Sequence, residues 1–244
     1  MLVSEPDASR REDLAARDGV AVTADNADVA EHCETCVVAV KPQVMKAALE
    51  PLAPVLSRRR PLLLSIAAGI DLATLDALSG GRCPVVRAMP NTPAMVGRGA
   101  AALAANERTS TEQRERAESI LGAVGITAWL DDEALMDVVT ALSGSGPAYF
   151  FLVMDALCKA AERHGLDAAV ARRLCTQTAL GAATRPWTAR ESLEQLRLNV
   201  TSPGGTTEQG VRALVDAGVE SAFERAVDAA ATRSRELSQP TGTS

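Results

Sequence analysis

The run NVTSPGGTTEQG, Asn199 to Gly210, brings backbone donors, hydroxyls and a helix start into twelve residues, a combination that can hold an anion. Pro203, Gly204 and Gly205 interrupt regular structure, and glycine tolerates positive φ and close approach by another group. Thr206 or Thr207 is placed to cap a following helix, whose Val211, Leu214 and Val215 fall at i, i+3 and i+4. The first turn of such a helix leaves N–H groups unpaired at the positive end of its dipole. A carboxylate or phosphate fits there, although a glycine turn and capped helix without any ligand account for the same residues equally well. Ser202 and Thr207 add hydroxyls on either side of the glycine pair, and Asn199 adds a side chain that donates and accepts. That convergence favours a small polar substrate.

The elements that must position this loop change character along the chain. Up to residue 130, short apolar runs alternate with amphipathic stretches, as expected of a parallel sheet covered by helices. The pattern predicts strands at Met1–Ser4, Val20–Val22, Cys36–Val40, Pro61–Ile66, Pro84–Ala88, Ala100–Ala104 and Ile126–Leu130. Helices are expected at Ser9–Arg17, Gln43–Leu56, Leu72–Leu78 and Thr111–Val124. From residue 131 the pattern is helical, with helices at Pro147–Arg163, Ala168–Thr184, Arg190–Leu196, Thr207–Asp216 and Glu220–Leu237. The fold class is therefore α/β followed by all-α, with domains at 1–130 and 131–244. Pro147–Arg163 is apolar around most of its circumference until Lys159, which predicts core or subunit interface. Beyond Ser238 the residues are rich in Thr, Ser and Pro, the composition of a disordered tail.

Composition excludes several functions. The chain has 244 residues, 47% of them hydrophobic, enough for a sizeable core, but only 2% aromatic, so aliphatic and alanine packing must fill it. A net charge of −6 argues against nucleic acid as the main partner. No apolar stretch is expected to reach the roughly 20 residues that span a bilayer, and no basic-then-apolar leader opens the chain, so a cytoplasmic protein without membrane partner is the simplest expectation. Five cysteines, an odd number, do not suggest a disulfide framework. Cys33 and Cys36 form a CxxC beside His32, a spacing that redox and zinc sites use. Yet no second pair stands at metal-site spacing, and Cys36 opens the apolar run CVVAV, where a cysteine acts as a small hydrophobe. No metal is expected.

Five further motifs accompany the loop in order and spacing: AVKP at Ala39–Pro42, SIAAGI at Ser65–Ile70, VRAMPNTP at Val86–Pro93, LSGSGPAYFF at Leu142–Phe151 and RSREL at Arg233–Leu237. Together with NVTSPGGTTEQGVRALVDAG they resemble the pyrroline-5-carboxylate reductases, which complete proline biosynthesis, and the resemblance covers essentially the whole chain. It implies an N-terminal Rossmann-like domain, a helical dimerisation domain that self-associates, and reduction of a cyclic imino acid by NADPH, with NADH possible. Asn199, Ser202, Gly204, Gly205, Thr206 and Thr207 would bind substrate, with Thr207 directed at the ring nitrogen as the catalytic residue. Asn26, Ala39, Val40, Lys41 and Pro42 would contact the adenosine side of the cofactor, and Ile66, Ala67, Ala68 and Asn91 the nicotinamide. Glu133 matches an acidic position facing the ligand cleft, and an exposed helix-start carboxylate is the alternative reading of it. One departure stands at Arg190 and Glu191, where some relatives carry a substrate-contacting glutamate; neither is assigned to the site.

A dinucleotide fold normally opens with a strand, a GxGxxG turn and a helix that meets the pyrophosphate. No such element is present in the sequence, so against the family Met1–Ser4 is expected to be the second strand, with about one βα unit of roughly thirty residues lacking. The end of that strand is where such reductases select their cofactor. Ser4, Pro6, Arg10 and Arg11 occupy it, and arginines with hydroxyls suit a 2′-phosphate, whereas Glu5 blurs the contrast. Two other functions stay open: a related imine or β-hydroxyacid reductase, and a non-catalytic, oligomer-forming remnant that binds no dinucleotide.

Overall fold

In a computed structural model of the chain, residues 1–17 and 19–238 are described. The expected tail, 239–244, lies outside them. The described residues form two compact units, one of Met1–Gly144 with the chain's end from Ala230, the other of Ser145–Ala229.

The first unit carries strands β1 (Leu2–Ser4), β2 (Ala21–Thr23), β3 (Thr35–Val38), β4 (Leu62–Ser65), β5 (Val85–Met89), β6 (Gly99–Ala105) and β7 (Gly125–Trp129). Between them run α1 (Ala8–Ala15), α2 (Asn26–His32), α3 (Met45–Leu49), α4 (Ala53–Arg59), α5 (Leu72–Leu78) and α6 (Thr111–Gly122), and α7 (Met136–Val139) follows β7. All seven expected strands are present. β4 is buried on both faces, with Leu62, Leu63 and Leu64 at most 1% exposed, because helices cover a largely parallel sheet on both sides. One face of the sheet packs Leu62, Leu64, Val86, Ala88 and Leu103 against Ala117 and Leu121 of α6. α6 is started by a capping box between Ser110 and Gln113.

Three features depart from the sequence pattern, and a fourth concerns the sheet itself. First, β6 runs antiparallel to β5, because the connection over residues 90–98 holds only a 3-10 turn, too short for a parallel crossover. β7 returns parallel to β6 through α6. Second, the helix expected over Gln43–Leu56 is broken into α3, α4 and two 3-10 turns by Pro42, Pro51 and Pro54. Third, α2 was not expected: NADVAEH is too short and polar to show a helical period, yet Asp25 caps it through the Ala27 N–H. Fourth, the sheet is in two pieces. β1 pairs only with β2, while β3 opens a separate sheet of order β3-β4-β5-β6-β7. Ser4 Oγ on β1 and Thr35 Oγ1 on β3 are buried without a hydrogen-bond partner among the described residues.

The second unit holds α8 (Gly146–Arg163), α9 (Ala168–Thr188), α10 (Leu193–Asn199), α11 (Thr206–Asp216) and most of α12 (Val219–Ser238). α8 was expected to be buried on several sides. In the single chain Phe150, Phe151 and Leu152 are 63–69% exposed, so the apolar circumference is an interface face rather than a monomer core. Contrary to the sequence reading, Glu133–Arg163 is long and apolar enough, by length and composition, to cross a membrane. The stretch opens with a 3-10 turn at Glu133–Leu135, and a π-turn at Thr140–Gly144 separates α7 from α8.

Candidate functional site

In the first unit the residues expected to meet a dinucleotide fall at or beyond the carboxyl ends of β1 to β5. Ser4 ends β1, and Asp7 caps α1 by accepting from the Arg10 N–H at 3.0 Å. That bond, with one from Ser9 Oγ, holds the Asp7 carboxyl below its ordinary pKa. The Arg11 guanidinium folds back onto the carbonyls of Glu5 and Pro6, at 2.7 and 2.8 Å. Arg10 is exposed and makes no ion pair among the described residues. Asn26 begins α2 after β2 and is exposed. Ala39 to Pro42 follow β3, with Lys41 exposed and preceding a 3-10 turn that Pro42 opens. Ile66, Ala67 and Ala68 follow β4 in the loop that ends at Asp71, the cap of α5.

Asn91 is not a free side chain. Its Nδ2 donates to the Ser143 carbonyl at 3.0 Å and its Oδ1 accepts from the Ala100 N–H at 2.9 Å, joining the MPNTP turn to the π-turn and to β6. Asn91→Ala is expected to lower the unfolding free energy by about 1–3 kcal/mol, since it strips partners from two partly buried backbone groups. A chemical-denaturation midpoint equal to wild type would rule this out.

Glu133 is tied down as well. Its Oε1 accepts from Arg87 Nη1 at 2.8 Å and from the Leu72 N–H at 2.9 Å. The pairing is absent from any local pattern, because Arg87 sits inside β5 and is 5% exposed. Farther on, Ser234 of the RSREL run donates to Asp137 Oδ1 at 2.6 Å, fastening the end of α12 to α7.

In the second unit the substrate loop departs from the sequence reading in its cap. Gly205, extended at φ −83 and ψ 171, is the N-cap of α11, and Thr206 and Thr207 are already its first helical residues, so neither threonine caps the helix. Gly204 has φ +72, a conformation that favours glycine. Two backbone donors are used within the loop itself: the Gly205 N–H donates to Ser202 O at 3.0 Å, and the Gly204 N–H donates to Glu208 Oε2 at 2.9 Å. Glu208 was missed, although a glutamate three residues after a cap is a recognisable capping pattern. The N–H groups of Thr206, Thr207 and Glu208, in the first turn of α11, have no helical carbonyl to reach. The hydroxyls of Ser202 and Thr207 are on exposed residues. Asn199 ends α10, where its Oδ1 accepts from Gln195 Nε2 at 2.9 Å; it also lines a cavity of about 450 Å³ with Arg185, Leu193, Leu196 and Arg197.

The CxxC is structural in its surroundings: Cys36 is a core residue of β3, against which Cys33, the C-cap of α2, is packed. The neighbouring Cys36 thiol lowers Cys33 to about 7. Among the described residues no three His, Cys, Asp or Glu side chains are grouped to hold a metal ion.

Comparison with known proteins places these features. Residues 133–237 match a family model described as pyrroline-5-carboxylate reductase dimerisation, which accounts for the exposed face of α8. Residues 1–69 match one described as NADP oxidoreductase, coenzyme F420-dependent. A pyrroline-5-carboxylate reductase of Pseudomonas aeruginosa is 47% identical over 98% of this chain and 87% of its own length. The solved structure of a pyrroline-5-carboxylate reductase from Coxiella burnetii superposes with TM-score 0.93 at 41% identity, covering 98% of this chain and 88% of that one. A Plasmodium falciparum pyrroline carboxylate reductase solved with NADP bound gives 0.82 at 30% identity, covering 92% and 85%.

Proposed function

The chain belongs to the pyrroline-5-carboxylate reductase family, and from that premise we propose that it reduces 1-pyrroline-5-carboxylate to L-proline with NADPH, the last step of proline biosynthesis. The observation that carries the reading is that the likeness runs through both units and includes the PGGTT loop at the start of α11. Residues 1–130 are assigned to the dinucleotide and 131–244 to the substrate and to self-association. Free thiols throughout and the net charge suit a cytoplasmic enzyme.

The residues at the end of β1 fit a phosphorylated dinucleotide. Ser4 Oγ is buried without a partner, and Arg10 is an exposed cation at the start of the next helix. A hydroxyl and a guanidinium there suit a 2′-phosphate better than the paired hydroxyls of an unphosphorylated ribose. Asn26 and Ala39–Pro42 would hold the adenosine side, and the Ile66–Ala68 loop, Asn91 and Glu133 would shape the nicotinamide end. When bound, the nicotinamide supplies a hydride to the C=N carbon. Arg10→Ala is expected to weaken NADPH binding by roughly tenfold and NADH binding hardly at all, the loss of one charge-assisted contact. Equal losses for both cofactors would refute the assignment.

The substrate carboxylate is assigned to the N–H groups of Thr206 and Thr207 and the Ser202 hydroxyl, at the positive end of α11. Gly204 and Gly205 shape the turn that presents them, Glu208 holds that turn, and Asn199, at the end of α10, would add a side-chain donor to the substrate. The Thr207 hydroxyl is left to face the ring nitrogen, donating to it or ordering the water that protonates it. Hydroxyls of ordinary acidity contribute by orientation more than by full proton transfer.

A second reading, an oligomer-forming chain that binds no dinucleotide, is favoured by the division of the sheet between β1 and β3. Titration of the chain with NADPH separates the two. Saturable binding, with turnover confined to the cyclic imine in a panel that includes β-hydroxyacids, supports the reductase. No binding by an intact oligomer selects the second reading, and turnover of β-hydroxyacids would move the chain to a related reductase.

A further inference from the structure

On the sheet face that carries Ser65, Arg87 and Ala104 in register, Arg87 is a charged residue in an otherwise closed layer, with Met136 of α7 packed over Ala102 and Ala104. A guanidinium 5% exposed cannot shed its proton, so it requires an anion with good geometry. Glu133 supplies it, and the same oxygen also accepts the Leu72 N–H, one of the unpaired donors of the first turn of α5. The carboxylate therefore joins three segments: the middle of β5, the turn after β7 and the start of α5. What precedes Leu72 is the Ile66–Asp71 loop. Gly69 of that loop lies against the backbone of Leu237, 3.6 Å from its carbonyl oxygen for an added Cβ, so the loop is also backed by the end of α12.

We propose that Arg87 and Glu133 are positioning residues of the reductase: their ion pair fixes where α5 begins and thereby holds the Ile66–Asp71 loop in the shape that receives the nicotinamide end of the cofactor. Glu133 acts through the Leu72 N–H and not by touching the dinucleotide. The inference rests on the cofactor assignment made above, but its first readout does not need a cofactor.

The test compares wild type with Glu133→Gln, Glu133→Ala and the double variant Arg87→Met, Glu133→Leu in the full chain. Backbone amide exchange is read at residues 66–72 and at α6, alongside thermal stability, the dissociation constant for NADPH and the KM for the imine. Glu133→Ala is expected to speed exchange of 66–72 by roughly tenfold over any change in α6, and to weaken NADPH binding by a comparable factor with the imine KM little changed. Glu133→Gln retains an oxygen for the Leu72 N–H and should fall between. The double variant removes both charges, so it should recover thermal stability, yet leave the loop unprotected and NADPH binding weak. Three results overturn the proposal: unchanged exchange at 66–72 in Glu133→Ala, exchange that rises equally in α6, or full recovery of loop protection in the double variant. Weak NADPH binding with normal loop exchange would instead make Glu133 a direct contact. A wild-type chain that binds no NADPH defeats the cofactor assignment, while the exchange comparison still decides whether the clamp exists.

Discussion

Thr207→Ala is expected to lower kcat for the cyclic imine by about tenfold or more, with a much smaller change in KM. The reason lies in what the residue offers. Its backbone N–H, at the second helical position of α11, survives the substitution, so the grip on the carboxylate is kept. Its hydroxyl is lost, and with it a donor or an ordered water at the ring nitrogen. A general acid of matched pKa contributes roughly 10²–10⁴-fold, and a threonine that only orients stands at or below the lower end of that range. Thr207→Ser should keep most of the activity because it keeps the hydroxyl. Steady-state kinetics of the three proteins check this, and a kcat for the alanine variant within twofold or so of wild type would remove Thr207 from the reaction.

Gly125→Ala is expected to cost about 3 kcal/mol of stability, near the upper end for overpacking. Gly125 opens β7 directly opposite Gly99, which opens β6. A Cβ on Gly125 would stand 2.6 Å from the Gly99 Cα and closer still to its carbonyl, so it meets backbone that cannot rotate aside. Either the two strands part at their first pair or the register of β7 shifts, and each loses ladder bonds. Gly122→Ala is the control. It ends α6 three residues earlier with nothing within 4 Å, and alanine there should be neutral or stabilising by about 0.5–1 kcal/mol. The denaturant midpoint should fall for Gly125→Ala and stay level or rise for Gly122→Ala, and a Gly125→Ala midpoint close to wild type would show that the strand start yields.

The strands were legible because each is a local apolar run with turn residues at its ends: LLLS between Pro61 and the AAG turn reads as buried on any inspection. α5 and α6 were legible as amphipathic stretches between strands, and the structure adds the side chains of Asp71 and Ser110 as their caps. α2 was not, since seven mostly polar residues cannot display a period. The substrate loop was found by composition, but its cap was misplaced by one or two residues, because a glycine can serve as N-cap without a side chain to announce it. Asn91 and Glu133 were placed at the cofactor end as ligand contacts. Each proves to be engaged with protein groups far along the chain, 52 residues away for Asn91 and Ser143 and 46 for Arg87 and Glu133.

Taken alone, the sequence determined the order of strands and helices and the loop from Asn199 to Gly210, because these depend on neighbours within a turn or two of one another, and motifs spread along the whole chain marked the family. The tertiary structure alone decided that β6 opposes β5, that the Gly204 and Gly205 N–H groups are used inside the loop, and that Glu133 clamps α5 to β5. Those outcomes turn on which distant groups share a small volume from which water is excluded. There a buried guanidinium or an unpaired N–H must find a partner wherever the chain brings one, and no local propensity encodes the choice.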